Sequence, residues 1–226
     1  MEQQHQLPIL RRRILWLVSC NAHQVPISSP HNPLGMVASV LSQTQNDVCV
    51  RLTAVEAMEA LLTQCESETQ ILHSIAEPTI PALFQLTNEC VEVESRSSCL
   101  SLISTLITYV GVTGGHLTND ILNTIVLNLT SIWEISIDQN LLLKRNVLTI
   151  LSCVASLVGP DQAALLYPLA LPIIDDSFAR EENVFLVEEA LTLWLVFLRL
   201  SKGYDSLLGI LFARAADLSR DLEHVM

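Results

Sequence analysis

Apolar side chains recur along this chain at steps of three and four, the period of helices that bury one face. The strongest pattern runs from Val184 to Leu200. Val187, Leu191, Trp194 and Leu198 form one stripe, Leu193 and Phe197 widen it, and Leu195 and Val196 carry apolar surface to the other side. A helix apolar nearly all round needs cover on more than one side, as an inner helix of a stack has. Glu188 and Glu189 sit at its positive dipole end, and Arg199 and Lys202 sit near its negative end before Gly203 stops it.

Read in order, the same period predicts a helix from Pro8 to Asn21, with Leu10, Ile14, Leu15, Leu17 and Val18 as its apolar side. Ala22 to Pro33 is a proline-rich loop, followed by helices from Leu34 to Gln43 and Val48 to Gln64. Ser67 and Gln70 have capping-box spacing and open a helix to Ile75 that breaks near Pro78 and resumes from Pro81 to Cys90. Glu94 to Val110 is a helix stopped by Gly111 and the Gly114-Gly115 pair. Thr118 caps Asn119 to Ile135, and Gln139 to Val158 follows. Asp161 caps Gln162 to Ile174, Asp175 to Glu182 is an acidic loop, and a last helix runs from Tyr204 to the end.

Alternate helices share a register: a polar or basic start, then apolar residues at +4, +7 and +10 or +11. Arg51 leads to Val55, Met58, Leu61 and Leu62; Arg96 leads to Leu100, Ile103, Leu106 and Ile107. Lys144 leads to Leu148, Leu151 and Val154, Val187 to Leu191, Trp194, Phe197 and Leu198, and Arg11 to Leu15 and Val18. The spacing is about 40–48 residues, that of a two-helix HEAT or armadillo unit. The predicted fold is all-α: one α-solenoid of HEAT/ARM-like helix pairs over 1–226, with pairs at 30–64, 67–111, 117–159 and 161–202 and partial units at 1–22 and 204–226. Asp47 and Glu92 stand four residues before Arg51 and Arg96, where an acid can cap the helix and meet an arginine.

Composition narrows the function. Half of the 226 residues are hydrophobic and 16% are charged. The mean hydropathy of +0.42 is high, yet no uncharged apolar run approaches the roughly 20 residues that cross a bilayer. The reading is buried stacked helices and no membrane insertion. A formal charge of -12 argues against nucleic acid as a partner and permits a basic one. Cys20, Cys49, Cys65, Cys90, Cys99 and Cys153 form no CxxC pair and read as buried, reduced thiols.

Catalytic patterns are missing. His5, His23, His31, His73, His116 and His224 show neither HxxxH nor HExxH spacing, and no serine sits in GxSxG. Gly114-Gly115 lacks the strand and GK[ST] of a phosphate loop. No enzyme, cofactor or metal site is expected. Trp16, Trp133 and Trp194 read as core positions in apolar helices. The candidate binding surface is an acidic cluster, Asp175, Asp176, Glu181, Glu182, Glu188 and Glu189, open to a basic cargo segment or simply solvated.

Four blocks carry a resemblance. Leu10 to Val18 (LRRRILWLV), Asp47 to Leu62 (DVCVRLTAVEAMEALL), Leu166 to Ile174 (LYPLALPII) and Leu186 to Trp194 (LVEEALTLW) resemble, in order and spacing, helices of the importin-beta type transport receptors (karyopherins), notably their importin-eleven branch. The resemblance covers nearly the whole chain. It implies a nuclear transport receptor that shuttles between nucleus and cytoplasm. Its partners would be protein cargo and the Ran GTPase on the inner surface and phenylalanine-glycine nucleoporins on the outer one. Members of the family are about four times longer, with an amino-terminal Ran-binding domain that has no counterpart here, so the expectation is a mid-chain segment. A HEAT-repeat scaffold of the phosphatase or tubulin-cofactor type is the alternative.

Overall fold

The computed structural model describes residues 2–25, 32–64, 69–136, 140–179 and 181–200; at 2–6, 69–71, 179, 181 and 182 it describes the backbone. The described residues form ten α-helices and two short 3₁₀ segments, and no strand is found among them. The chain divides into two compact units, Met1–Ile132 and Trp133–Met226.

In the first unit lie α1 (Glu2–Cys20), α2 (Pro33–Ser42), α3 (Val48–Leu62), α4 (Thr69–Glu89), α5 (Val93–Val112) and most of α6 (Asn119–Ile135). Helix α3 packs against α1 on one side and α5 on the other, while α2 packs against α4. Helix α2 also rests on α3, and α4 on α5. Two layers of paired helices result, and the helices that share the basic register form one of them. Val55, Met58, Leu61 and Leu62 of α3 are buried, as are Leu100, Ile103, Leu106 and Ile107 of α5.

The second unit holds α7 (Leu141–Leu157), α8 (Pro160–Ala163), α9 (Tyr167–Ala179), a 3₁₀ segment (Glu181–Leu186) and α10 (Val187–Leu200). Helix α10 packs on α7 and α9, again joining two helices of the shared register. Leu148, Leu151 and Val154 of α7 are buried. The Tyr167 and Phe197 rings meet with centroids 5.0 Å apart, tilted by 55°, within the range of favourable aromatic contacts. The architecture is all-α, with helix pairs stacked as in an α-solenoid. No described helix is long and apolar enough to cross a membrane.

Local chemistry sets the helix ends. Asn32 takes a left-handed φ of 31° and its side chain accepts from the Gly35 amide at 3.0 Å, with Pro33 at the start of α2. Asp47 caps α3 by accepting from the Cys49 amide at 2.8 Å. Helix α5 ends in a Schellman motif: Gly114 has φ +72°, the Gly115 amide bonds to Val110 O at 2.9 Å and the Gly114 amide to Gly111 O at 3.0 Å. The Thr118 hydroxyl accepts from the Ile121 amide at 3.4 Å, a long cap for α6.

Several expectations are corrected. Helix α1 starts at Glu2, with Pro8 inside it, and it buries only Leu15 well; Leu10, Ile14 and Leu17 stay more than half exposed. Helix α4 does not break near Pro78 but runs on through Pro78 and Pro81. Burial of Ile80, Leu83, Phe84 and Leu86 outweighs the roughly 3 kcal/mol a mid-helix proline costs. The predicted helix from Gln162 is interrupted after Ala163, because Pro168 has no amide to continue it; Gly159, not Asp161, is the N-cap residue of α8. Asp175 and Asp176 lie in α9 rather than in a loop, held there by the burial of Ile173, Ile174 and Ser177 beside them. The first residues of the predicted Val184 helix are 3₁₀ and bury Leu186, and α10 buries Ala190, Leu193 and Phe197. The buried face therefore centres on the two residues that widen the predicted stripe and lies one position before Leu191, Trp194 and Leu198. Leu195 is exposed.

The thiols divide. Cys90 and Cys99 are buried, Cys153 is half-buried, and Cys20 and Cys49 are exposed, against expectation. Burial, then the neighbouring Cys90, pushes the Cys99 thiol up to about 12. Burial also raises Cys90. Trp16 is 54% exposed and so is not a core residue. The capping box at Ser67, Cys65 and the helix from Tyr204 lie outside the described residues.

Candidate functional site

The sequence brings six acids close along the chain, and the fold gives them different roles. Asp175 and Asp176 ride the last turns of α9, Glu181 and Glu182 the 3₁₀ segment, and Glu188 and Glu189 the first turn of α10. The side chains of Glu181 and Glu182 lie outside the described set.

Two of the others face cations that the sequence did not single out as their partners. Asp176 Oδ2 receives the Lys144 ammonium at 3.2 Å. Lys144 is itself buried and stands 4.8 Å from the centre of the Trp133 ring, so ring and carboxylate share its charge. The Asp176 backbone carbonyl also accepts from the Asn183 amide group at 2.8 Å, which ties the 3₁₀ segment to α9. Glu189 Oε1 accepts from Arg145 Nε, while its Oε2 is buried with no hydrogen-bond partner. Lys144 and Arg145 open α7, 32 and 44 residues from these acids. The shared register of Lys144 and Val187 was the one sequence signal that α7 and α10 are neighbours.

Beside the acids lies a groove that sequence reasoning missed. Leu141, Leu142 and Arg145 of α7 face Val184, Phe185, Leu186 and Glu188 across about 460 Å³. Phe185 is 76% exposed there. An apolar floor with an open phenylalanine, Glu188 at its edge and the Arg145–Glu189 pair alongside can hold a peptide side chain and a neighbouring cation. Among the described residues no group of three or more His, Cys, Asp or Glu converges to hold a metal ion.

Comparison with known proteins gives this surface a context. Residues 145–225 match the family model of importin-11-like TPR repeats. The chain is 28% identical over 191 residues to importin-11 of Mus musculus and 27% identical over 191 residues to importin-11 of Homo sapiens. Both alignments cover 84% of this chain and 19% of the relative. The chain thus spans about a fifth of the length of the curated relatives it matches. No solved structure gives a significant match. With stacked helix pairs, a family match from α7 onward and two relatives aligned over most of its length, the chain is similar to a segment of importin-11.

Proposed function

We propose that the chain is part of a nuclear transport receptor that binds protein cargo and carries it through the nuclear pore under control of the Ran GTPase. It works by binding and not by catalysis, moves between nucleus and cytoplasm, and meets phenylalanine-glycine nucleoporins on its outer helices. The alignment to importin-11 over 84% of the chain is the observation that carries this reading. Within it, the helix pairs at 30–64, 67–111, 117–159 and 161–202 act as one array. The acidic cluster with the Phe185 groove is the cargo-facing surface for a segment that joins a hydrophobic residue to lysines.

Asp176 and Glu189 already hold Lys144 and Arg145, so among the described side chains cargo attraction falls to the exposed Glu188, with Phe185 as the apolar contact. The test is capture of a lysine-rich peptide containing one leucine by the whole chain at low and physiological salt. Glu188→Lys with Phe185→Ala should weaken it at least tenfold, and salt should weaken it further. Unchanged affinity at low salt rejects this surface. A parallel capture with GTP-loaded Ran and phenylalanine-glycine repeats tests the transport role. Failure of both, with a phosphatase or tubulin-handling complex retained instead, favours a scaffold.

A further inference from the structure

A second groove, of about 320 Å³, opens between α1 and α3. Ile9, Arg12, Arg13 and Trp16 line it from α1, and Thr53 and Glu56 from α3. The four α1 residues follow one another at helical steps, so they form a single stripe. Ile9 is 57% and Trp16 54% exposed, and Leu10, Ile14 and Leu17 beside them are also more than half open. Ile9 and Trp16 thus give the groove an open apolar wall.

Charge selects what the face can accept. The chain carries -12 overall, yet Arg11, Arg12 and Arg13 gather three of its 12 basic residues in one turn of α1. Arg11 donates to Asn46 Oδ1, between α2 and α3, and is held there. Arg12 and Arg13 stand exposed at the groove, with Glu56 on the opposite wall. Two guanidinium groups against one carboxylate leave a local positive excess on an acidic protein. Arginine and tryptophan are also the side chains that most often anchor protein interfaces.

We propose that this groove docks an acidic amphipathic segment of a partner protein. An aliphatic or aromatic side chain of the partner sits on Ile9 and Trp16, and its carboxylates pair with Arg12 and Arg13, where guanidinium forks can grip them bidentately. The partner is opposite in charge to the one proposed for the acidic cluster. The proposal does not rest on the transport role.

Two labelled helical peptides test it. They share one leucine-phenylalanine stripe and carry either glutamate or lysine on their flanks. Each is titrated with the whole chain by fluorescence anisotropy. The glutamate peptide should bind, more weakly as salt is raised, and the lysine peptide should bind at least tenfold more weakly. Arg12→Glu with Arg13→Glu should cost the glutamate peptide at least tenfold, and Trp16→Ala about as much. All three side chains are exposed, so the helical circular dichroism should be unchanged. Arg199→Glu, in α10, should leave binding as it was. Equal binding of the two peptides, no binding, or indifference to the Arg12 and Arg13 substitutions overturns the proposal. So does a concentration-dependent dimer abolished by Trp16→Ala, which would mean that a second copy occupies the face.

Discussion

The guanidinium of Arg51 is fully buried, and its Nη1 donates to Glu89 Oε2 at 2.6 Å, linking the first turn of α3 to the last residue of α4. Its Nε donates to Leu41 O and its Nη2 to Ala82 O, both at 3.2 Å. One side chain therefore satisfies a carbonyl at the end of α2, another in α4 and a carboxylate at the end of α4. In the next helix of the layer, Arg96 Nε donates to Cys90 O at 2.9 Å, just past α4. Lys144 repeats the arrangement in the second unit with Asp176. A cation near a helix C-terminus is stabilised by the carbonyls left without intrahelical donors. Arg51 and Lys144 thus each fasten one helix pair to the next, whereas Arg96 ties the two helices of its own pair.

Arg51→Ala should lower stability by about 2–4 kcal/mol, because it removes the donor to the buried Leu41 carbonyl, leaves Glu89 without its cation and empties the space of a wholly buried side chain. Glu89 is one-third exposed, so Glu89→Gln should cost less, about 1–2 kcal/mol, with water compensating in part. Arg51→Lys should fall between them, since an ammonium cannot reach all three acceptors in the same fork. Urea denaturation followed by helical circular dichroism measures all three. A cost for Arg51→Ala below that for Glu89→Gln would contradict the fastening role.

The register of Arg51 was legible because one period repeats in α3, α5 and α7: its apolar positions meet the same kind of neighbour in each, so Val55, Met58 and Leu61 are buried as the spacing requires. Its partner was not legible. Asp47, four residues away, offered a nearer acid, but that carboxylate bonds to the Cys49 amide at the helix start. Glu89 lies 38 residues on, beyond any local pattern. The same limit hid Lys144 from Asp176 and Arg145 from Glu189. The continuity of α4 failed for a different reason: proline propensity is local, whereas the burial of Ile80 and Phe84 that overrides it is tertiary. The Phe185 groove was missed because Val184 and Phe185 read as the start of a helix, and their 3₁₀ backbone turns them to solvent.

Gly115 is fixed by His73. A Cβ at residue 115 would stand 1.5 Å from His73 Cε1, and the ring is anchored by a 3.0 Å bond between its Nε2 and the Thr113 hydroxyl. Gly115→Ala should therefore cost about 1–3 kcal/mol, the usual range for forced overpacking. Removing the ring removes the clash, so the His73→Ala, Gly115→Ala pair should be more stable than Gly115→Ala alone. A double-mutant cycle by chemical denaturation reads this coupling. Strict additivity would show that the ring swings aside at no cost.

Burial, and then the nearby Glu56, raises the Glu59 carboxyl above its usual 4.5. A raised carboxylate binds its proton more tightly in the folded than in the unfolded chain. Stability from this group therefore falls as pH climbs from 4.5 through the folded value, and the ionised form is a burden at neutral pH. Glu59→Gln should raise the Tm at pH 7, and the advantage should shrink as pH falls to 4.5. Thermal melts of both proteins across that interval give the measurement, and an advantage that grows on acidification would reverse the sign of the effect.

The acids of the second unit should separate into fold-holding and ligand-facing groups. Asp176 neutralises a lysine that is almost wholly buried, and breaking such a pair from one side leaves an uncompensated charge. Asp176→Asn should cost about 1–3 kcal/mol, the Trp133 ring retaining part of the attraction. Glu189 differs: Arg145 is largely in water, which makes the pair worth about 0–1 kcal/mol, and its second carboxylate oxygen is buried without a partner. Neutralising it removes a weak attraction and a desolvated charge together, so Glu189→Gln should be close to neutral in stability. Glu188→Gln touches an exposed side chain and should shift stability by less than about 0.5 kcal/mol, while lowering affinity for a lysine-rich peptide. Urea midpoints and peptide titrations on the three variants distinguish the roles. If Glu188→Gln destabilises as much as Asp176→Asn, the exposed acid is part of the frame, and the attraction of basic segments must come from elsewhere.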